Sequence, residues 1–84
     1  MSYSVILSDN AFRQFNKLER KVQERITTVL DRIRIRPFSH VKKLVGKPGY
    51  KMRVGDYRIV MDIEQQKLLI LVIKVGHRRN IYDR

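Results

Sequence analysis

The stretch Tyr50-Lys51-Met52-Arg53-Val54-Gly55-Asp56-Tyr57-Arg58-Ile59-Val60 decides the fold. Along its first limb apolar and basic side chains alternate, the pattern of a strand buried on one face only. Gly55-Asp56 is a two-residue turn, with glycine suited to the positive φ that a type II′ hairpin needs at its first central position. If those two residues make the turn, Val54 faces Tyr57, Arg53 faces Arg58, Met52 faces Ile59 and Lys51 faces Val60. Side chains in a strand alternate between faces, so Tyr50, Met52, Val54, Tyr57, Ile59 and Met61 share the face expected in the core. Lys51, Arg53 and Arg58 share the other. Like charges directly opposed across two strands cost about 0.2–1 kcal/mol against a neutral pair, and an anion held between them reverses that sign. The alternative is a solvated outer face whose charges splay apart.

Working outward towards the N-terminus, Phe38 to Gly49 reads as a basic loop broken by Gly46, Pro48 and Gly49. Before it, Val22, Ile26, Val29, Leu30 and Ile33 fall on one stripe of a helix that Pro37 stops. A shorter helix carries Phe12, Phe15 and Leu18, read as core residues, with Ser8 or Asp9 as its cap. Tyr3 to Leu7 reads as a strand. Towards the C-terminus, Tyr57 to Ile63 is the return strand, Glu64 to Lys67 a turn, and Leu68 to Val75 a strand apolar on both faces, hence a central one. The order β-α-α-β-β-β predicts an α+β fold: an N-terminal strand, a two-helix hairpin, then a three-strand antiparallel meander with the hairpin on one face. The place of the first strand is left open. One domain is expected over residues 1–84.

The chain carries 19 Lys and Arg against 8 Asp and Glu, a net charge of +11 over 84 residues. An imbalance this large favours a polyanionic partner. It is also unevenly placed: no acidic residue occurs from Arg32 through Gly55. There are no cysteines, which excludes a disulfide scaffold or a Cys-based zinc site. The histidines His40 and His77 lie far apart in sequence, so neither a metal nor another cofactor is expected. The start, Met1-Ser2-Tyr3-Ser4, lacks the basic and apolar regions of a signal peptide, and no apolar run is long enough to span a bilayer. A soluble cytoplasmic protein with no membrane partner is expected.

The chain's end adds to the basic face. Lys74 and Gly76 bracket the end of the last strand, and His77, Arg78, Arg79 and Tyr82 follow. The meander brings that end beside Arg58. Cations with an aromatic side chain suit single-stranded nucleic acid, where basic groups hold phosphates and a ring stacks on a splayed base.

The hairpin from Tyr50 to Val60 resembles the signature hairpin of the RelE/ParE toxin superfamily, and Leu71-Val72-Ile73-Lys74-Val75-Gly76-His77-Arg78 is similar to that family's last strand and its exit. The helical hairpin and the Lys43-Leu44 approach fit as well, so the resemblance covers essentially the whole chain. It implies a prokaryotic toxin held inactive by a co-expressed antitoxin. RelE-type members cut mRNA in the ribosomal A site; ParE-type members poison DNA gyrase by binding it.

By position, the resemblance implies Lys51 as general base, Arg53 as a second basic residue, Arg58 as the arginine that stabilises phosphate, and Arg78 as general acid or charge stabiliser. Tyr82 corresponds to the tyrosine that stacks on a base. Arginine hardly gives up its proton, so the chemistry favours Arg78 as an electrostatic clamp. His77 is a rival base, because an imidazole ordinarily titrates near neutral pH. Lys43, Lys47, Lys74, His77 and Arg79 are expected to bind RNA around this set. The implied reaction is metal-independent in-line attack by a ribose 2′-hydroxyl on the adjacent phosphate, leaving a 2′,3′-cyclic phosphate and a 5′-hydroxyl. The expected partners are mRNA with the ribosome and a small acidic antitoxin; the toxin itself is expected to be monomeric, with higher assembly through the antitoxin. Two readings compete: a gyrase inhibitor without nuclease activity, and a basic binding module without catalysis.

Overall fold

A computed structural model describes residues 2–77 and 79. The chain runs β1 (Ser4–Leu7), α1 (Asp9–Asn16), α2 (Arg20–Arg32), a 3-10 turn (Pro37–Ser39), β2 (Lys42–Lys43), β3 (Tyr50–Val54), β4 (Tyr57–Glu64) and β5 (Leu69–His77). The sheet has the order β1-β5-β4-β3-β2. The expected meander is β3-β4-β5, antiparallel throughout. The strand whose place was open, β1, lies parallel to β5 at one edge, so the sheet is mixed and β5 is interior, with β4 at the centre of the order. One strand was not foreseen: Lys42 and Lys43, placed in a loop by the sequence reading, pair with Lys51 and Tyr50 as a two-residue edge strand. Such brevity, with lysines on both faces, leaves little edge for another chain to pair with.

Ser8 starts α1. Its Oγ accepts a hydrogen bond from the Ala11 N–H at 3.1 Å and donates one to the Ile73 carbonyl at 3.2 Å. The helix is thereby capped and tied to β5 through one hydroxyl. At Ile73, β5 bulges: Val60 faces Lys74 but Met61 faces Val72. A bulge leaves its strand with unpaired backbone groups, and β1 has already ended at Leu7, opposite Val72. The Gln14 side chain from α1 supplies the missing acceptor, taking the Val75 N–H at 2.8 Å. Tyr3, just before β1, is held by Arg34 in both directions: its N–H donates to the Arg34 carbonyl, and its own carbonyl accepts from Arg34 Nε, each at 2.8 Å.

The core lies between the helices and one face of the sheet. Ile26 and Ile33 from the helical side meet Ile59, Met61, Ile70, Val72 and Val75, all fully buried. Each such side chain contributes roughly 1.5–3 kcal/mol by leaving water. Phe15 and Leu18 pack against this core half-buried, whereas Phe12, expected within it, is 56% exposed. Ala11 takes the buried place on α1 instead. Phe12 lines an apolar groove of about 550 Å³ with Val5, Leu7, Phe15 and Leu30.

Candidate functional site: a cationic groove on the outer face

The hairpin register is as the alternation predicts: Val54 opposite Tyr57, Arg53 opposite Arg58, Met52 opposite Ile59, Lys51 opposite Val60. Gly55 has φ +59° and Asp56 has negative φ, which selects the II′ turn over the I′ turn, where both would be positive. Met52, Val54, Ile59 and Met61 are buried on the helical side. Lys51, Arg53 and Arg58 therefore stand on the outer face, spaced roughly 4.5–5.5 Å across each pair of strands.

Two rows of side chains cross this face. One runs Lys42, Lys51, Val60, Lys74 over four strands; the other runs Arg53, Arg58, Gly76 over three. Val60 sits between two lysines and yet is buried, because Leu44 closes over it as a separate apolar pair. The segment after β2 thus folds back over part of the outer face, which the sequence reading had left bare. Gly49 permits this: it has φ +114°, and a Cβ there would lie 3.2 Å from Leu44 Cδ1 and 3.3 Å from Asp62 Oδ1. What stays open is a groove of about 400 Å³ lined by His40, Lys42, Lys51, Met52, Arg53 and Arg58. Among the described residues, no carboxylate lines it. Arg53 Nε donates to the Gly55 carbonyl at 3.2 Å, which folds its guanidinium towards the turn. Arg25 of α2 reaches the other side of that turn, 3.0 Å from where a Cβ on Gly55 would stand.

Of the residues expected from sequence, Lys51, Arg53, Arg58 and Lys74 come together on this face. Lys43 and His77 do not. Lys43 stands opposite Tyr50, on the other face from Lys42. His77 stands opposite Tyr57, and their rings meet edge to face at 5.6 Å, beside Gln14 and Lys17 of α1. That is the helical side of the sheet. Lys47 is half-buried in the loop between β2 and β3. Arg79 is exposed, its backbone N–H donating to His77 Nδ1 at 3.3 Å. Arg78 and Tyr82 lie outside the described residues. Sequence reasoning missed His40 and Lys42 as groove residues, because their place depends on the pairing of β2 with β3. Among the described residues, no three His, Cys, Asp or Glu gather where they could hold a metal ion. No helix there is long and apolar enough to cross a membrane.

The fold is similar to that of solved RelE toxins and toxin–antitoxin complexes. A chain of the Mycobacterium tuberculosis RelBE2 toxin–antitoxin complex superposes with a TM-score of 0.86 over 93% of this chain and 100% of that one, at 21% identity. The intact Escherichia coli RelBE complex gives 0.78 over 90% of this chain and 96% of its match, at 27% identity. The family described as "ParE toxin of type II toxin-antitoxin system, parDE" matches residues 5–82. The mRNA interferase toxin RelE of Escherichia coli K12 is 30% identical over 81 residues, covering 93% of this chain and 85% of the relative. The chain belongs to the RelE/ParE superfamily of type II toxins.

Proposed function

We propose that the chain is a RelE-type toxin that cleaves mRNA in the ribosomal A site and so stops translation. The observation that carries this reading is the opposition of Arg53 and Arg58 beside Lys51, in a groove lined by no carboxylate among the described residues. A scissile phosphodiester is the ligand that turns such crowding from a cost into a gain. As the 2′-hydroxyl attacks in line, negative charge grows on the phosphate oxygens, and fixed cations aimed there lower the barrier without rearranging. Arg53 and Arg58 hold the phosphate, and Lys51 exchanges a proton with the reacting groups. Arg78 is the electrostatic clamp at the chain's end, and Tyr82 the ring that stacks on a base. Lys47, Lys74 and Arg79 contribute to binding the rest of the RNA, while Lys43 and His77, turned to the other face, stay outside that set. The reaction uses no metal.

The protein acts in the cytoplasm, where ribosomes are, as one domain over residues 1–84. It is neutralised by an acidic antitoxin that folds on it, drawn by the +11 charge and covering exposed apolar positions with an amphipathic segment. The relatives whose solved complexes contain an antitoxin support this pairing.

The test is incubation with programmed ribosomes and analysis of the fragment ends. The expected products carry a 2′,3′-cyclic phosphate and a 5′-hydroxyl. Inhibition of gyrase supercoiling with mRNA left intact selects the ParE-type activity instead. Salt-sensitive RNA binding with neither effect leaves a binding module.

A further inference from the structure

His40 belongs to the groove. It lies just past the 3-10 turn, its N–H donating to the Pro37 carbonyl at 3.0 Å. The chain on either side of it is anchored. Pro37 is fully buried, Phe38 packs edge-on to Tyr50 at 5.5 Å between ring centres, and Val41 packs against the main core. An exposed imidazole is thereby flanked by packed neighbours rather than carried on a free loop. Lys42 faces Lys51 in an antiparallel pair. Two residues before that pair, past the end of the strand, His40 lies on the side of the sheet where Lys42 does. The groove lining agrees: His40 is found there with Lys42 of β2, Lys51 and Arg53 of β3, and Arg58 of β4. All four charged neighbours are cations. Of the described residues lining the groove, His40 alone has a side chain that accepts a proton when neutral and donates one when charged, with both ring nitrogens available.

We propose that His40 is a further catalytic residue of this site, the group that takes the proton of the attacking ribose 2′-hydroxyl. This rests on the ribonuclease reading above. As an imidazole nitrogen takes that proton, the 2′ oxygen bonds to phosphorus. The bond from phosphorus to the 5′ oxygen breaks, and that oxygen leaves with a proton from the Lys51 ammonium. Cyclic phosphate and hydroxyl ends result, with no oxidant, reductant or added group. Each side chain then works in the direction its chemistry favours: a neutral imidazole accepts, an ammonium donates, and the two guanidinium groups stay charged on the phosphate.

The experiment is single-turnover cleavage of mRNA on saturating programmed ribosomes across about pH 5 to 8, with wild type, His40→Gln and His40→Lys. Because His40 is exposed, neither change disturbs the fold, and a melting curve checks that. The wild-type rate is expected to rise with pH along a limb that reports one group required in its unprotonated form. His40→Gln is expected to lose that limb and to fall by about 10²-fold or more, with ribosome binding unchanged. His40→Lys is expected not to restore the rate, since it supplies charge without a neutral acceptor. A His40→Gln rate within about threefold of wild type, far short of a general-base effect, overturns the proposal. So does full rescue by His40→Lys, which makes the role purely electrostatic. Wild-type protein that leaves the mRNA whole overturns the ribonuclease reading, and this proposal with it.

Discussion

Arg53 and Arg58 stand directly opposite each other across the β3–β4 hairpin, on the face turned away from the helices. Their shared row, with Lys42 and Lys51 beside it and no carboxylate among the described residues lining the groove, concentrates positive charge there. Binding to a single-stranded RNA oligonucleotide should therefore weaken steeply with salt, since each neutralised phosphate releases condensed counterions. Arg53→Ala is expected to flatten the plot of log affinity against log salt by about 0.7. Fluorescence anisotropy over a salt series measures it. An unchanged slope would mean that Arg53 touches no phosphate.

Gly55 carries the tight part of the same hairpin, at φ +59° with the Arg25 guanidinium close above it. Gly55→Ala places a Cβ in left-handed backbone and against Arg25. It is expected to destabilise the fold by about 1–2 kcal/mol, which in a domain of this size lowers Tm by roughly 4–8 °C per kcal/mol. Calorimetry or a thermal melt reads this directly. A melting temperature equal to wild type would contradict the strain.

Much of this arrangement was legible in the sequence, for identifiable reasons. The β3–β4 register follows from strict alternation plus a turn only two residues long, and both are local signals. A cap at Ser8 or Asp9, of which the helix uses Ser8, and Pro37 beyond the end of α2 are local as well. What escaped is set by partners distant in the chain. β2 is two residues flanked by loop-forming glycines and a proline, and only its pairing with β3 makes it a strand. β1 has four residues and no signal for which neighbour it joins; its parallel place beside β5 is fixed by tertiary contacts. Phe12 and Phe15 both looked like core, but the phase of a short helix is decided by what it packs on, and Ala11 takes the buried position. The basic triad was legible because all three members lie on one hairpin. His40 and Lys42 were not, because their membership depends on β2. His77 was drawn towards the triad by sequence proximity to Arg78, while the pleat turns it to the opposite face.

Arg34 secures the β1 edge by bonding both backbone groups of Tyr3, and its guanidinium also meets Asp31 at 2.9 Å. Arg34→Ala removes the side-chain bond and leaves the carbonyl of buried Tyr3 without that donor. A loss of about 1–2 kcal/mol is expected. Hydrogen exchange should show it chiefly as lost protection along β1, with β3 and β4 little changed. Uniform loss across the sheet would contradict a local role for Arg34.

Ile59 is fully buried in the strand at the centre of the sheet, directly behind the groove. Ile59→Ala is expected to cost about 2–5 kcal/mol, a large part of the stability of a domain this small. Urea unfolding measures it. A shift of the midpoint corresponding to under about 1 kcal/mol would mean that the core collapses around the missing atoms.

The decisive measurement is the single-turnover rate of mRNA cleavage on saturating programmed ribosomes for Arg58→Ala, compared with Lys17→Ala on α1. Gripping of the reacting phosphate by the opposed arginines predicts a fall of about 10²–10³-fold for Arg58→Ala and a near wild-type rate for Lys17→Ala. Equal rates for the two variants would show that positive charge matters to this protein only in bulk, and not at the place where the two ribbons meet.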